Sequence, residues 1–355
     1  MRIALLTYST KPRGGVVHTL ALAEALARAG QDVTVWTLGR GGDTTFYRRV
    51  DPAVTVAAVP FPPIDDEAVG PRILRSIQVL GTAFADSRVN YDVVHAQDCI
   101  SANAVSRCIR TIHHLDTFTT PELADCHERA ITRPYARICV SAAVAREVTD
   151  GWGYRPTVIP NGVDWQRFAC ADGASWRARF GRYVLAVGGI EPRKGSIDLL
   201  EAYAALGRDD VPLVFAGGET LFDYRAYRAE FDARAAELGV QPVLLGTVDD
   251  DDMPGLVAGA AVLPFVSTKE GFGLAAMEAL AAGVPVVARD LPVLREVFRD
   301  QVAYAADVPA ITTALRSALD GDLAFRRDTG AELARSYSWD TAAAAHVAFY
   351  SEVGS

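Results

Sequence analysis

The run KEGFGLAAMEALAAG, residues 269–283, places two carboxylates, Glu270 and Glu278, around a pair of glycines, Gly271 and Gly273. This pattern predicts a tight glycine turn that opens into a helix of Leu, Ala and Met. Glycines let a ligand approach the backbone, and a helix N-terminus offers free N–H groups to an anion. Glu278, about two turns into the helix, can reach hydroxyl groups on the same ligand. The run therefore indicates an anionic, hydroxyl-rich ligand, such as a nucleotide sugar.

Length and composition set the class of protein. The chain has 355 residues, enough for two domains of ordinary size. Half of the residues are apolar and 22% are charged, so we expect a sizeable core and no extensive disorder. The net charge of −9 argues against a nucleic-acid-binding surface.

The sequence also bears on the compartment. No apolar run approaches the roughly 18 to 20 residues of a membrane helix. The opening RIALLTYST lacks a small-residue cleavage site and is predicted to be a buried strand, not a signal peptide. Five cysteines, an odd number without metal-ligand spacing, are simplest to interpret as reduced thiols in a cytoplasmic protein.

Short Val/Ile-rich runs alternate with Ala/Leu/Arg-rich helical patterns, as in parallel sheets with crossover helices. Strands are predicted at 3–7, 32–37, 54–59, 93–95, 110–113, 138–141, 157–160, 183–187, 213–216, 243–245, 261–265, 284–288 and 302–304. Helical patterns include 16–29, 72–87, 197–205, 224–238, 273–282 and the Ala-rich tail 338–353. The turn formers of IPNGVD, 159–164, predict a domain boundary, followed by a connector over 165–181.

Two glycine-containing loops follow predicted strands. In parallel sheets, ligands bind beyond the carboxyl ends of the strands, so both loops should face a ligand crevice. The loop 8–16 contains Gly14 and Gly15, which allow close approach of a phosphate but do not form a dinucleotide fingerprint. In GGIEPRKG, 188–195, Arg193 and Lys194 stand at a predicted helix start, where two cations suit a diphosphate.

The histidines and an acidic run are further candidates. His113 and His114 close the strand RTIHH, where a histidine can accept a proton or bond a sugar hydroxyl. His18 and His95 are expected to be structural. The aspartates at 249–252 raise the alternative of a metal site, but acidic residues also favour helix N-termini, and a helical pattern follows.

These segments together resemble the retaining, metal-independent nucleotide-sugar glycosyltransferases of sugar-transferase family four, also called glycosyl transferases group 1. The resemblance rests on Glu270-Gly-Phe-Gly with Glu278, on 188–195 and on the Gly14–Gly15 loop, and it covers nearly the whole chain. It implies an α/β protein with the GT-B fold, in which two Rossmann-like parallel-sheet domains face a central crevice. The acceptor-side domain would span 1–164, with the helix 338–353 packing back onto it, and the nucleotide-sugar-binding domain would span 165–337.

The same resemblance implies roles for the charged residues. Arg193 and Lys194 would neutralise the leaving nucleoside diphosphate, so neither a metal nor a cofactor is expected beside the donor substrate. Glu270 would hold hydroxyls of the sugar, and Glu278 would bind the ribose. A Thr-aliphatic-His pattern favours His113 over its neighbour as the histidine near the reacting carbon.

The resemblance also implies nucleotide contacts and leaves other matters open. The expected donor is a UDP-sugar, the acceptor is an unidentified small molecule or glycan, and the protein would be a monomer or homodimer. An epimerase, a sugar phosphorylase and a non-catalytic nucleotide-sugar-binding protein remain alternatives. The family usually has a glycine pair after the strand 284–288, and this sequence lacks it. We expect the loops 40–50, 60–70 and 116–130 to shape the acceptor pocket. The further residues assigned to nucleotide binding are Gly14, Gly15, Gly246, Val248, Gly271, Phe272, Gly273 and Leu274.

Overall fold

The computed structural model describes residues 1–116, 118, 120–218, 224–322 and 327–354. The chain divides into two compact units. Unit 1 comprises Met1–Gly162 and Trp339–Ser355, and unit 2 comprises Val163–Ser338. In both units, parallel strands alternate with helices. The short Val/Ile-rich runs form the strands, and neighbouring parallel strands need a crossover connection, which a helix provides.

Unit 1 contains a seven-stranded parallel sheet with the order β3-β2-β1-β4-β5-β6-β7. The central strand β1 is buried on both faces, since Ile3, Ala4, Leu5 and Leu6 are all 0% exposed, as expected of a parallel sheet covered on both sides. The order reverses between β1 and β4, so the loops after these strands diverge and leave a space there. The strands are β1 Arg2–Leu6, β2 Asp32–Arg40, β3 Val54–Phe61, β4 Val93–Ala96, β5 Ile109–Ile112, β6 Ala136–Cys139 and β7 Thr157–Val158.

The helices of unit 1 begin and end where local sequence signals place them. Asp98 and Ser141 cap two of them by accepting hydrogen bonds from the backbone N–H groups of Ser101 and Val144. Gly153 ends the helix that Ser141 begins, in the left-handed conformation that favours glycine. The helices are α1 Gly14–Arg28, α2 Val69–Asp86, α3 Cys99–Ala104, α4 Pro121–Thr132 and α5 Ala142–Trp152.

Unit 2 contains two three-stranded parallel sheets, β10-β9-β8 and β11-β12-β13. A parallel bridge between Val184 and Val262 joins them, so that β8 and β11 are neighbours. The strand order reverses between these two strands, and a ligand site is expected at their carboxyl ends. The strands are β8 Val184–Val187, β9 Leu213–Ala216, β10 Val243–Leu244, β11 Leu263–Phe265, β12 Val286–Arg289 and β13 Ala303–Ala305.

The helices of unit 2 cover these sheets around a core that includes Leu200, Phe231 and Ile311, all 0% exposed. The stretch 165–181 was expected to be a connector, but it contains two short helices, α6 and α7. The helices are α6 Trp165–Ala169, α7 Ala174–Phe180, α8 Ser196–Ala204, α9 Arg225–Leu238, α10 Met253–Gly259, α11 Leu274–Ala281, α12 Pro292–Phe298, α13 Val308–Asp320 and α14 Arg327–Ser336.

The last helix, α15 Trp339–Val353, belongs to unit 1. It packs against α1, and an ion pair of 2.7 Å joins Arg28 to Asp340 at the edge of the contact. A Cβ atom at Gly162 would lie 2.3 Å from the backbone nitrogen of Trp339, so only glycine fits where the chain passes this helix. Among the described residues, no helix combines the length and the apolar character needed to cross a membrane.

The thirteen predicted strands are all found in the described part of the chain, with ends shifted by three residues or fewer. The shifts matter at two places. His113 lies just after β5 and not within it, and Gly14 and Gly15 are the first residues of α1, where a loop was expected.

Candidate active site

The best-organised candidate site lies where the strand order reverses in unit 2. A single 3-10 turn, Pro192–Lys194, follows β8, and a loop starting at Val266 follows β11. The backbone N–H of Thr268 donates to the carbonyl of Arg193 at 2.8 Å, and Nη1 of Arg193 donates to the carbonyl of Lys269 at 3.1 Å. The turn and the loop are therefore bonded to each other through backbone and side chain.

Three predicted site residues meet at this point. Lys194 Nζ lies 2.7 Å and Arg193 Nη1 lies 3.1 Å from the same oxygen, Oε1 of Glu270, whose side chain is 10% exposed. Burial would raise the pKa of Glu270, but the charges of Lys194 and Arg193 outweigh it and lower the pKa to about 2. The carboxylate is therefore ionised at neutral pH and holds both cations in place.

A second carboxylate completes the charge balance. Glu191 Oε1 lies 3.7 Å from Arg193 Nη2, so two cations face two carboxylates. Nη1 of Arg193 is also held by the carbonyl of Lys269. A phosphate can replace the carboxylates as the partner of these cations, which preorganises the group for a diphosphate.

Glycines let the ends of the neighbouring strands approach this group. Gly188 has φ +130°, a conformation that favours glycine, and a Cβ atom there would lie 3.3 Å from Cε of Lys194. A Cβ atom at Gly217 would lie 2.2 Å from the backbone of Gly188. A small cavity opens beside Lys194 and is lined in part by Gly188, Phe265 and Ser267.

The segment predicted to meet the nucleotide base, Gly246–Val248, follows β10 on the same side of the sheet. The carbonyl of Gly246 accepts a hydrogen bond of 2.8 Å from the N–H of Gly217 at the end of β9. A Cβ atom at Gly218 would lie 2.3 Å from Oγ1 of Thr247. The segment is therefore close to the turns after β8 and β9.

The glycine turn after Glu270 leads directly into α11. Gly273 has φ +102° and is the N-cap, so the helix begins at Leu274, one residue later than expected. No side chain caps the first turn of this helix, and its N–H groups keep their capacity to bond an anion. Phe272 is 3% exposed and packs against Tyr337 with ring centroids 5.3 Å apart, which anchors the turn.

Glu278 lies on α11 in different electrostatic surroundings. Burial raises its pKa, Arg167 opposes this effect, and Asp250 and Asp164 add to it, so that the pKa reaches about 7. Arg167 is itself paired with Asp250 at 2.7 Å. The two glutamates of the sequence run therefore differ in protonation, one fully ionised and one titrating near neutral pH.

Sequence reasoning missed the neighbours of Glu278. Arg167 lies on α6, inside the stretch expected to be a connector, and no local pattern distinguishes it from other surface arginines. Asp250 belongs to the acidic run considered as a metal site, but its side chain bonds Arg167. In the part of the chain that the structure describes, no three His, Cys, Asp or Glu side chains are grouped so that they could hold a metal ion.

In unit 1, the predicted glycine pair and histidine lie together. A Cβ atom at Gly15 would lie 3.8 Å from Cδ2 and 3.9 Å from Nε2 of His113. Burial, helped by the neighbouring charges of His18 and Arg110, lowers the pKa of His113 well below its usual range. His113 is therefore neutral at pH 7. The adjacent His114 turns to Asp116 instead, with Nε2 2.8 Å from Oδ2.

His113 is one of four imidazoles that form a buried histidine cluster, His18, His95, His113 and His346. Ring centroids are 4.7 Å apart for His18 and His113, 6.4 Å for His18 and His346, and 5.7 Å for His95 and His346. His18, His95 and His346 are at most 1% exposed. The cluster joins α1, β4, the end of β5 and α15, and the sequence pointed to only three of its members.

Within the cluster, hydrogen bonds fix two of the rings that were expected to be structural. His18 Nδ1 lies 2.9 Å from Oδ1 of Asn161, an acceptor, so this nitrogen carries the proton. His95 bonds the hydroxyls of Tyr350 and Thr111, each at 2.7 Å. Both ring nitrogens of His95 are thus bonded, whereas His18 is held through Nδ1 and its buried Nε2 has no hydrogen-bond partner among the described residues.

Comparisons with known proteins agree with this arrangement in both units. The model of the family described as "Glycosyl transferases group 1" matches residues 179–332, and that of "Glycosyltransferase Family 4" matches residues 12–167. A phosphatidyl-myo-inositol mannosyltransferase of Mycobacterium leprae is 30% identical over 99% of this chain and 97% of its own length.

Two solved structures are similar at lower identity. Sucrose-phosphate synthase from Thermosynechococcus elongatus is 19% identical, with a TM-score of 0.80 over 99% of this chain and 98% of its own. Anabaena HepE in complex with UDP and glucose is 19% identical, with a TM-score of 0.76 over 99% of this chain and 100% of its own. At this level of identity the likeness shows the fold.

Proposed function

The chain belongs to the glycosyl transferases group 1, and from this premise we propose that it transfers a sugar with retention of anomeric configuration and without a metal ion. It has the GT-B fold and is a glycosyltransferase that uses a nucleotide-sugar donor. The retaining course is taken from the resemblance of the paired-glutamate run, Glu270 and Glu278. In that course the leaving phosphate accepts the proton of the attacking hydroxyl on the same face of the sugar.

The observation that carries the proposal is the convergence of Arg193 and Lys194 on Glu270. Departure of a nucleoside diphosphate places negative charge on the β-phosphate, and fixed cations in a partly buried site stabilise that charge in the transition state. Arg193 and Lys194 supply two positive charges at the carboxyl ends of β8 and β11. This is the role that a divalent metal has in other sugar transferases, and it supports the metal-independent proposal.

The remaining residues have roles that fit their surroundings. Glu270, fully ionised, would accept hydrogen bonds from sugar hydroxyls. Glu278 would bind the ribose in its ionised form. The N–H groups beyond Gly273 would contact the phosphate. The neutral imidazole of His113 can accept a hydrogen bond from a hydroxyl, and we assign it to the sugar.

We propose a UDP-sugar as the donor and a hydroxyl of a small molecule or glycan as the acceptor. The structural neighbour that holds UDP and glucose supports uridine. The name of the mannosyltransferase relative favours mannose as a second candidate for the transferred sugar and gives a first acceptor to try, phosphatidyl-myo-inositol. An enzyme of this kind would work in the cytoplasm as a monomer or homodimer.

Calorimetric titration of the chelator-treated protein with UDP and with GDP tests the donor site. We expect one of them to bind, and we expect Lys194→Ala to weaken that binding. Arg228→Ala is the matched control, because this side chain is 48% exposed on α9 and pairs only at the surface with Asp232. If neither UDP nor GDP binds, the proposal is overturned.

Turnover separates the transferase from its alternatives. A transferase releases nucleoside diphosphate in proportion to glycosylated acceptor, whereas an epimerase converts the donor without an acceptor. A sugar phosphorylase would need inorganic phosphate and a pyridoxal phosphate visible by absorbance. Binding without turnover on a broad acceptor panel would favour the non-catalytic alternative.

A further inference from the structure

A buried arginine lies beneath the cation turn of unit 2. Arg289 is the last residue of β12 and is 8% exposed, while the other three residues of this strand are all 0% exposed. A buried guanidinium is costly unless its donors are satisfied, so its partners indicate what it is for. In the family that the sequence resembles, a glycine pair is usual after this strand. In this chain the residues directly after Arg289 are not glycines.

The partners of Arg289 come from three other elements. Its Nε donates to the carbonyl of Val266 at 3.1 Å, just after β11, and its Nη1 donates to the carbonyl of Ala306 at 3.2 Å, just after β13. Its Nη2 pairs with the carboxylate of Asp198 in the first turn of α8. One planar side chain thus fastens the carboxyl ends of β11, β12 and β13 to the start of α8.

The same guanidinium lies against the residue that follows the cations. Gly195 has φ +65°, and a Cβ atom there would lie 3.2 Å from Nη2 of Arg289 and 2.5 Å from the carbonyl oxygen of Val266. The turn that carries Arg193 and Lys194 therefore rests directly on the Arg289–Val266 contact. Val266 also begins the loop that leads to Glu270.

We propose that Arg289 is a positioning residue for the diphosphate site. Its hydrogen bonds to Val266, Ala306 and Asp198 set the distance between the turn that carries the two cations and the loop that leads to Glu270. Only a guanidinium presents donors in a fixed fork that reaches two carbonyls and a carboxylate at once, since a lysine ammonium is a single point charge. This inference rests on the proposed function of the same site.

The inference predicts an effect on the β-phosphate alone. If Arg193 and Lys194 are misplaced, a diphosphate binds more weakly. The contacts that we propose for the base and the ribose lie elsewhere on unit 2 and are retained. Arg289→Met should therefore raise the Kd for the diphosphate by about tenfold or more and change the Kd for the matching monophosphate by less than about twofold. Arg289→Lys should restore only part of the loss, because it cannot bond all three acceptors.

The experiment is calorimetry with UDP and UMP, and with GDP and GMP, on wild type, Arg289→Met, Arg289→Lys and Arg295→Met. Arg295, on α12, is the control, because it pairs with Asp290 at the surface and its side chain is 56% exposed. Circular dichroism confirms that each variant is folded. If Arg289→Met does not fold, Asp198→Ala provides the same test, because it removes the acceptor of Nη2 and leaves the guanidinium bonded to both carbonyls.

Equal loss of diphosphate and monophosphate affinity, or no loss in a folded variant, would overturn the positioning role while leaving the donor site intact. A full rescue by Arg289→Lys would also contradict it. Failure of wild type to bind any of the four nucleotides would instead remove the proposed function, and the inference with it.

Discussion

The buried histidine cluster predicts how the stability of unit 1 depends on pH. Burial lowers the pKa of His18 to about 3, with repulsion from His346 in the same direction, and burial lowers the pKa of His346 to about 4. In the unfolded chain both imidazoles titrate near their ordinary value of about 6.5. Between the folded pKa values of about 3 and 4 and the unfolded value of about 6.5, the unfolded state binds more protons than the native state. This contribution to stability is therefore full above pH 6.5 and is lost as the pH falls below it.

The size of this loss follows from the two shifts. Each pH unit below 6.5 costs about 1.4 kcal/mol for a histidine that stays neutral when folded, so at pH 5 each of the two histidines costs about 2 kcal/mol. Asp98 acts in the opposite direction, because burial raises its pKa to about 6 and its protonation favours the folded state by about 1 kcal/mol at pH 5. For these three groups together the net loss is about 3 kcal/mol, a fifth or more of the stability of a typical domain.

The perturbation that isolates the cluster is His346→Gln. The glutamine amide can still donate to the carbonyl of Ala342, the partner of His346 Nδ1 at 2.8 Å, but it does not titrate. Urea unfolding at pH 7 and pH 5, followed by circular dichroism and tryptophan fluorescence, gives the change in unfolding free energy for wild type and variant. We expect the variant to lose about 2 kcal/mol less than wild type between the two pH values.

His114→Gln is the control, because the side chain of His114 is 30% exposed and its partner is Asp116 outside the cluster. It should retain most of the loss of stability that the wild type shows between pH 7 and pH 5. If His346→Gln shows the same loss of stability as wild type between pH 7 and pH 5, these imidazoles are not held neutral in the fold and the reasoning fails.

Three further predictions concern the site of unit 2. Lys194→Ala should lower kcat by about 10² to 10³, because a fixed charge that stabilises the leaving phosphate contributes about 3 to 4 kcal/mol to the barrier, and steady-state turnover near that of wild type would exclude this role. The raised pKa of Glu278, about 7, means that this carboxylate, which we propose accepts ribose hydroxyls, is protonated as the pH falls, so nucleotide affinity measured by calorimetry should weaken from pH 8 to pH 6. Glu278→Gln should bind more weakly at pH 8 and show no such dependence, and an equal slope in both proteins would contradict the assignment. Dialysis against a chelator should leave the turnover rate unchanged, whereas activity that returns only with added divalent metal would refute the metal-independent mechanism.

The sequence by itself determined the strand plan and the charged positions of the candidate site. In the described part of the chain, the thirteen predicted apolar runs are all strands. Each run is short, contains β-branched residues and is bounded by turn residues, and these are local properties. Arg193, Lys194 and Glu270 were identifiable because they stand in glycine-containing runs that follow predicted strands, and parallel strands bring their carboxyl ends to one edge.

Only the tertiary structure decided which of these groups meet and what supports them. The connector over 165–181 proved helical, and Arg167 from it contributes to the electrostatic surroundings of Glu278. His346 joins the histidine cluster from the far end of the chain, and Arg289 reaches three separate elements. The physical reason is that periodicity and propensity act over a few residues, whereas burial, ion pairing and pKa shifts depend on neighbours that only the folded chain brings together.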